Sequence, residues 1–353
     1  MGDVRYVVSG CRSADLFPVK GRNAALMLAI PNILKNNSSL KNANKLSKRS
    51  KELYFDSGGR QIYEITNNKS KRYKRFTSER NKPVYFGDTL NIHVSHLEQA
   101  VKMFRPKYLL GLDFPIRSSS DPQEQNRRFH KTLNINYSWA KSTIAIRDKH
   151  FPYLKVILPL QTQNIQNLLQ YWNQIKHLKP DGVALPMRCF KNDNRLIEVL
   201  LEIHKLKIKE VHLLGSSRIG TIIISSFLAR NNYFQNITLD SGTWRQAADR
   251  GKVIIPYDLR EVHIGDKNCI ITERTSKLPK EWTLKLMKVI DAAGGSNEHK
   301  KLREFNFAAI QTTIKDIQKN ADTPLKIKTY LSERSTRTED IEKICHLLNR
   351  IPT

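Results

Sequence analysis

Short apolar, β-rich runs alternate with longer amphipathic stretches over most of the chain. The runs predict strands at Glu52 to Phe55, Tyr108 to Leu112, Leu154 to Leu158, Gly182 to Leu185, Val211 to Leu214 and Asn236 to Leu239. Between them, apolar positions at helical spacing predict helices at His93 to Phe104, Pro122 to Arg147, Thr162 to Lys176, Arg195 to Leu206 and Gly220 to Asn231. Strand–helix alternation repeated this often implies parallel strands joined by crossover helices, in a barrel or a doubly wound sheet. No GxGxxG follows the first strand and no GxxxxGK[ST] occurs, so a nucleotide-phosphate cradle has no support.

Polar residues follow several of the predicted strands. Asp56 comes after Tyr54-Phe55, Asp113 after Leu110-Gly111-Leu112, Gln161 after Leu158-Pro159-Leu160 and Asp240 after Ile237-Thr238-Leu239. Any one of these carboxylates alone reads as a helix N-cap. Four such positions fit better with a (β/α)8 barrel, where the C-terminal ends of the strands converge on one face and build the active site. The expected architecture is an α/β (β/α)8 barrel over residues 1–310, with basic loops at 35–51 and 67–82, followed by a C-terminal helical segment over 311–353.

Charge changes the picture most. Among 353 residues, 60 Lys and Arg face 33 Asp and Glu, for a net charge of +27. Self-repulsion of that size points to a polyanionic partner, and nucleic acid fits because each neutralised phosphate releases counterions. The cations cluster. One group holds Lys35, Lys41, Lys45, Lys48, Arg49 and Lys51; another holds Lys69, Lys71, Arg72, Lys74, Arg75, Arg80 and Lys82, with Tyr73 and Phe76 interleaved. Both read as loops offered to a phosphate backbone, the second with aromatics suited to stacking on unpaired bases. Four scattered cysteines, Cys11, Cys189, Cys269 and Cys345, form neither a disulfide framework nor a CxxC zinc site. No apolar stretch is long enough to span a membrane, and the first residues lack the order of a secretory signal, so an intracellular protein is expected.

The segment Tyr54-Phe55-Asp56-Ser57-Gly58-Gly59-Arg60-Gln61 is the most specific motif. It sets an acid beside a backbone that a ligand can approach closely. Here the chain resembles the tRNA-guanine transglycosylase superfamily, whose hallmark is DSGG followed by an aromatic residue and Gln. Further segments follow in the family's order: Gly111-Leu112-Asp113-Phe114-Pro115, Pro159-Leu160-Gln161, Asp181-Gly182-Val183-Ala184-Leu185, His212-Leu213-Leu214-Gly215, and Leu239-Asp240-Ser241 through Trp244-Arg245-Gln246-Ala247. The resemblance covers roughly Val19 to Ile317.

That resemblance implies exchange of guanine in a nucleic acid for a 7-deazaguanine base such as preQ0, through a covalent sugar–enzyme intermediate. It makes Asp240 the nucleophile at C1′ and Asp56 the general acid/base, a division of labour familiar from retaining glycosidases. It assigns Ser57, Gly58, Arg60, Asp113, Gln161, Gly182, Val183, Leu214 and Gly215 to the base site. Lys71, Arg72, Lys74, Arg75 and Arg245 are the expected nucleic-acid contacts. The target guanosine must be flipped out of its stack.

The chain departs from the family in places. Arg60 stands where the family has a stacking aromatic residue, and Pro115 where it has a cysteine. Of the zinc ligands only Cys269 remains, and Phe305-Asn306 replaces the histidine segment, with His299 expected on the surface. One thiolate cannot complete a tetrahedral site, so no zinc and no other cofactor is expected. With the two basic loops, this resembles the DNA-guanine transglycosylase branch. The partners then expected are DNA and accessory DNA-modification proteins, in the cytoplasm of a bacterial or phage-infected cell, with no membrane. The alternatives are a zinc-free tRNA-guanine transglycosylase and a non-catalytic nucleic-acid-binding subunit. Retention of both Asp56 and Asp240 speaks against the last. The isolated pair His93 and His96 and the four tryptophans read as surface and packing residues, with Trp244 singled out because it is near Asp240.

Overall fold

The computed structural model of the chain describes residues 2–11, 18, 24–34, 37–58, 85–86, 90–91, 94–116, 121–162, 164–187, 190, 192–265, 275–292 and 298–351. Eight parallel strands close into a barrel in chain order: β1 (Asp3–Val8), β2 (Ala25–Ala29), β3 (Glu52–Asp56), β4 (Tyr108–Leu110), β5 (Lys155–Pro159), β6 (Gly182–Pro186), β7 (Glu210–Leu214) and β8 (Asn236–Ser241). Closure comes from β8 pairing back onto β1, with Val4 opposite Ile237 and Val8 opposite Ser241. The longer helices are α1 (Asn37–Ser47), α2 (Val94–Phe104), α3 (Pro122–His150), α4 (Ile165–Ile175), α5 (Asp193–Lys205), α6 (Ile219–Arg230), α7 (Thr243–Asp249), α8 (Lys280–Asp291), α9 (Glu298–Lys319), α10 (Pro324–Ser332) and α11 (Thr338–Leu348). This is the expected (β/α)8 barrel. Its strands β1 and β2 were not among the predicted runs.

The period-two alternation of a strand sorts side chains into two cores. Phe55, Leu109, Val156, Leu158, Val183, Leu213, Ile237 and Leu239 point outward and pack under the helices. Val7, Met27, Tyr54, Tyr108, Leu110, Ile157 and Ala184 point inward and fill the barrel. Tyr54 and Tyr108 stack at its centre, ring centroids 4.3 Å apart and nearly parallel. Each such aliphatic side chain contributes roughly 1.5–3 kcal/mol on burial.

An ionic layer lies below these rings, at the N-terminal end of the barrel. Arg5 and Lys107 reach Glu52 at 2.9 and 2.6 Å, Arg5 also donates to Asn236 at 3.2 Å, and Lys155 pairs with Glu210 at 2.5 Å. Burial pushes the Glu52 carboxyl up, but the Lys107 hydrogen bond and the Arg5 charge outweigh it and hold the group below its ordinary value.

Two expectations about organisation change. The boundary at 310 falls inside α9, one continuous helix that packs against α7, α6 and β1 and so serves as the last helix of the barrel. The helices beyond it are fastened to the barrel by the buried Asp258, which accepts from Ser335 Oγ, from Thr336 N at 2.9 Å and from Thr336 Oγ1 at 2.7 Å. The basic stretch 35–51, read as a loop, is mostly α1, whose Ala43 and Leu46 are buried. Its last cations, Lys48, Arg49 and Lys51, precede β3 and so sit at the N-terminal end of the barrel. The second basic stretch lies almost wholly outside the described residues. Among the described residues no helix is long and apolar enough to cross a membrane.

Candidate active site

The strands run parallel, so every residue that ends one of them arrives at the same rim. Asp56 ends β3, Asp240 is the next-to-last residue of β8, and Asp113, Gln161 and Gly215 follow β4, β5 and β7. The four polar residues expected at strand ends are therefore brought together.

Asp240 is almost fully buried, and one of its oxygens is hydrogen-bonded. Oδ1 accepts from Gly215 N at 2.9 Å and faces His212 Nε2 at 3.2 Å. The other imidazole nitrogen, Nδ1, meets Thr238 Oγ1 at 2.7 Å. His212 and Thr238 are register partners on β7 and β8, so the chain Thr238–His212–Asp240 lies across two neighbouring strands inside the barrel. Gly215 adopts a φ of +78°, which lets its N–H turn back to the carboxylate, and a β-carbon there would meet nothing within 4 Å. Asp240 Oδ2 has no hydrogen bond among the described residues.

Asp56 has a different environment. Burial raises its pKa from 3.8 to about 6; the Gly58 N–H, 3.1 Å from Oδ1, opposes this, the Asp240 charge adds to it, and His212 opposes it. The neighbouring Asp240 thus helps to hold a proton on Asp56. Gly58 has a φ of +101°, so the Ser57-Gly58 step turns sharply and brings this amide back onto the acid.

A third group reads as a polar wall. Gln161 donates through Nε2 to Asp113 Oδ2 and accepts at Oε1 from Ile116 N at 3.3 Å. Asn136 of α3 clamps the same segment, accepting from Phe114 N at 2.6 Å and donating to Phe114 O at 3.3 Å. Gln161 thus orients Asp113. Ser57 is likewise occupied, its hydroxyl donating to Gly111 O at 2.8 Å and tying the ends of β3 and β4 together.

Other expected residues fall elsewhere. Gly182 and Val183 open β6, so they belong to the N-terminal end of the barrel, and the Val183 side chain packs outward under the helices. A base site at the other rim is out of their reach; Pro186 and Met187 stand at that end of β6. Leu214 ends β7 half-buried, beside Gly215. Arg245, on the first turn of α7, pairs with Asp249 at 2.7 Å and keeps a fifth of its side chain exposed. Trp244 is fully buried; its Nε1 donates to Ser9 O at 3.2 Å and its ring meets Phe307 edge-on, so it packs and does not stack on a base. Phe305 is in the core, Asn306 donates to Trp244 O and Lys252 O and accepts from Ile254 N, and His299 is exposed. Arg60, Lys71, Arg72, Lys74, Arg75, His93 and Cys269 lie outside the described residues.

Sequence reasoning missed His212 and Thr238. A histidine at an inward position of an otherwise apolar strand was the available signal, and it needed the strand pairing to be interpreted. Compared with known proteins, the chain matches no protein-family model and no curated protein.

Proposed function

We propose that the protein exchanges guanine in DNA for a 7-deazaguanine base, with Asp240 as nucleophile and Asp56 as general acid/base. One observation carries this reading: two carboxylates share the barrel mouth in opposite environments. Asp240 accepts from the Gly215 N–H and faces the His212 imidazole, while burial keeps Asp56 near a pKa of 6, able to give and take a proton near neutrality.

The proposed steps balance. Asp240 Oδ2 attacks C1′ of the flipped guanosine, the C1′–N9 bond breaks, and its electron pair leaves on guanine, which takes the Asp56 proton. Asp56, now a carboxylate, removes the N9 proton of the incoming base, and N9 attacks C1′ to release Asp240. Asp113, oriented by Gln161, suits the adjacent N–H donors on a guanine edge, because a carboxylate accepts both. Gly215, with open space beside it, leaves room for a flat ring next to Leu214. Protons and electrons close on two carboxyl groups, so the scheme draws on no cofactor.

The test offers purified protein a guanine-containing DNA and an unmodified tRNA, each with a labelled 7-deazaguanine. Label is expected in DNA. Label in tRNA alone moves the assignment to the tRNA enzymes, and label in neither removes the base-exchange reading.

A further inference from the structure

The N-terminal end of the barrel, opposite the carboxylates, carries its own charge pattern. Five consecutive helix-to-strand junctions, those entering β3 through β7, each present at least one exposed cation: Lys51, Arg105, Lys149 in the last turn of α3, then Lys176 with Lys179, then Lys207 with Lys209. A groove of about 390 Å³ opens between the last two connections, and Lys176, Lys179, Lys207 and Lys209 line it.

The acids nearby do not neutralise this rim. Asp181 spends Oδ2 on Val156 N and Arg147, both at 2.8 Å, and Glu210 pairs with Lys155. Glu52 is taken by Arg5 and Lys107. Lys179, Lys207 and Lys209 make no ion pair among the described residues.

Backbone geometry is a second observation. Arg105, Lys179 and Lys207 hold φ values of +48°, +50° and +61°. These are positions just after a helix, where glycine is the usual residue because a β-carbon is strained there. Three connections on one face accept that strain to display a cation. Strain retained at a surface position points to use of the side chain.

We propose that this face is a second nucleic-acid contact, a sequence-independent seat for the phosphodiester backbone of duplex DNA. Single strands are gripped by cations with exposed aromatics on which bases stack. Here Tyr153 is the exposed aromatic among the described residues, and the Arg105 guanidinium already covers its ring at 5.5 Å. The groove sets its four lysines around one half-buried ring, Trp172, with no run of exposed aromatics among the described residues, which suits phosphates of a paired helix. Strands of five or six residues separate this seat from the carboxylates by about 15–20 Å. It therefore holds DNA away from the reacting nucleotide, and it stands whether or not the mouth performs base exchange.

The experiment measures binding alone, by fluorescence anisotropy of a labelled duplex as a function of salt. Lys179→Gly with Lys207→Gly should lower affinity roughly tenfold per lost contact at 0.1 M salt and reduce the log–log salt slope by about 0.9 for each. The same pair should raise Tm slightly, because glycine relieves both left-handed residues, so weaker binding does not come from misfolding. The control pair Lys280→Ala with Lys288→Ala, on α8, removes equal charge elsewhere and should leave the slope unchanged. Equal losses in both pairs would show diffuse charge and overturn the proposal. So would an unchanged slope in the glycine pair, or a loss confined to tRNA or to anionic phosphatidylglycerol vesicles.

Discussion

His212 Nε2 lies 3.2 Å from Asp240 Oδ1, and both side chains are buried between neighbouring strands. The imidazole touches no candidate substrate position, so in the proposed reaction it positions the nucleophile. A charge-assisted hydrogen bond of this kind is worth about 1.5–3 kcal/mol, or roughly 10–150-fold in rate. His212→Gln should lower single-turnover exchange within that range and leave KM for the incoming base unchanged. A rate equal to wild type would remove His212 from the mechanism.

Asp240→Asn keeps the shape of the side chain and its acceptor oxygen but removes the nucleophile. Exchange of labelled guanine should fall by about 10⁴-fold or more, with DNA affinity unchanged. Denaturing gels should show a covalent DNA adduct with wild type and none with the variant.

Asp56 gives the pH dependence. Its pKa is raised in the fold, from 3.8 to about 6, so its contribution to stability is fully present below pH 3.8 and is lost as pH rises through 6. Asp56→Asn removes that loss. At pH 8 the variant should be more stable than wild type by about 2–3 kcal/mol, with the gap closing as pH falls toward 4. Urea unfolding at several pH values measures this. The same variant should lose roughly 10²–10⁴-fold in exchange, and wild-type guanine release should slow as pH rises above about 6.

How far could these residues be found before the fold? Asp56, Asp113, Gln161 and Asp240 were readable because each directly follows an apolar run, and parallel strands deliver such positions to one rim. His212 was not, because its place beneath Asp240 depends on the register of β7 against β8. Gly182 and Val183 come to the base site only through the family resemblance, and the strand begins with them instead of ending there. β1 hides an inward Arg5 that its partners Glu52 and Asn236 explain, and β2 is a run of Ala, Leu and Met that suits a helix equally well. α1 escaped notice because Ala43 and Leu46 are too thin an apolar stripe among its Asn, Ser and Lys.

Asp113 should govern base affinity. Asp113→Asn still accepts the Gln161 amide, so Tm should change little. Guanine affinity, measured by calorimetric titration, should drop by about 10–100-fold, since one charged acceptor is lost. An unchanged affinity would place the base edge elsewhere.

Asp258 gives a prediction about stability alone. Asp258→Ala strips the acceptor from Ser335 and both Thr336 donors. Unfolding free energy should drop by about 2–4 kcal/mol, with exchange per folded molecule unchanged. Loss of activity without loss of stability would contradict a purely mechanical role.

The ion pairs around Glu52 and Glu210 stopper the barrel from below, beneath the Tyr54–Tyr108 stack. A vessel closed at the bottom has one doorway. In the proposed exchange the departing guanine and the arriving base must use it in turn, while the sugar waits on Asp240. Free guanine then competes with the incoming base for the same empty slot. In that proposed scheme the bases pass one at a time, and the ratio of the two free bases would set the direction in which the DNA is rewritten.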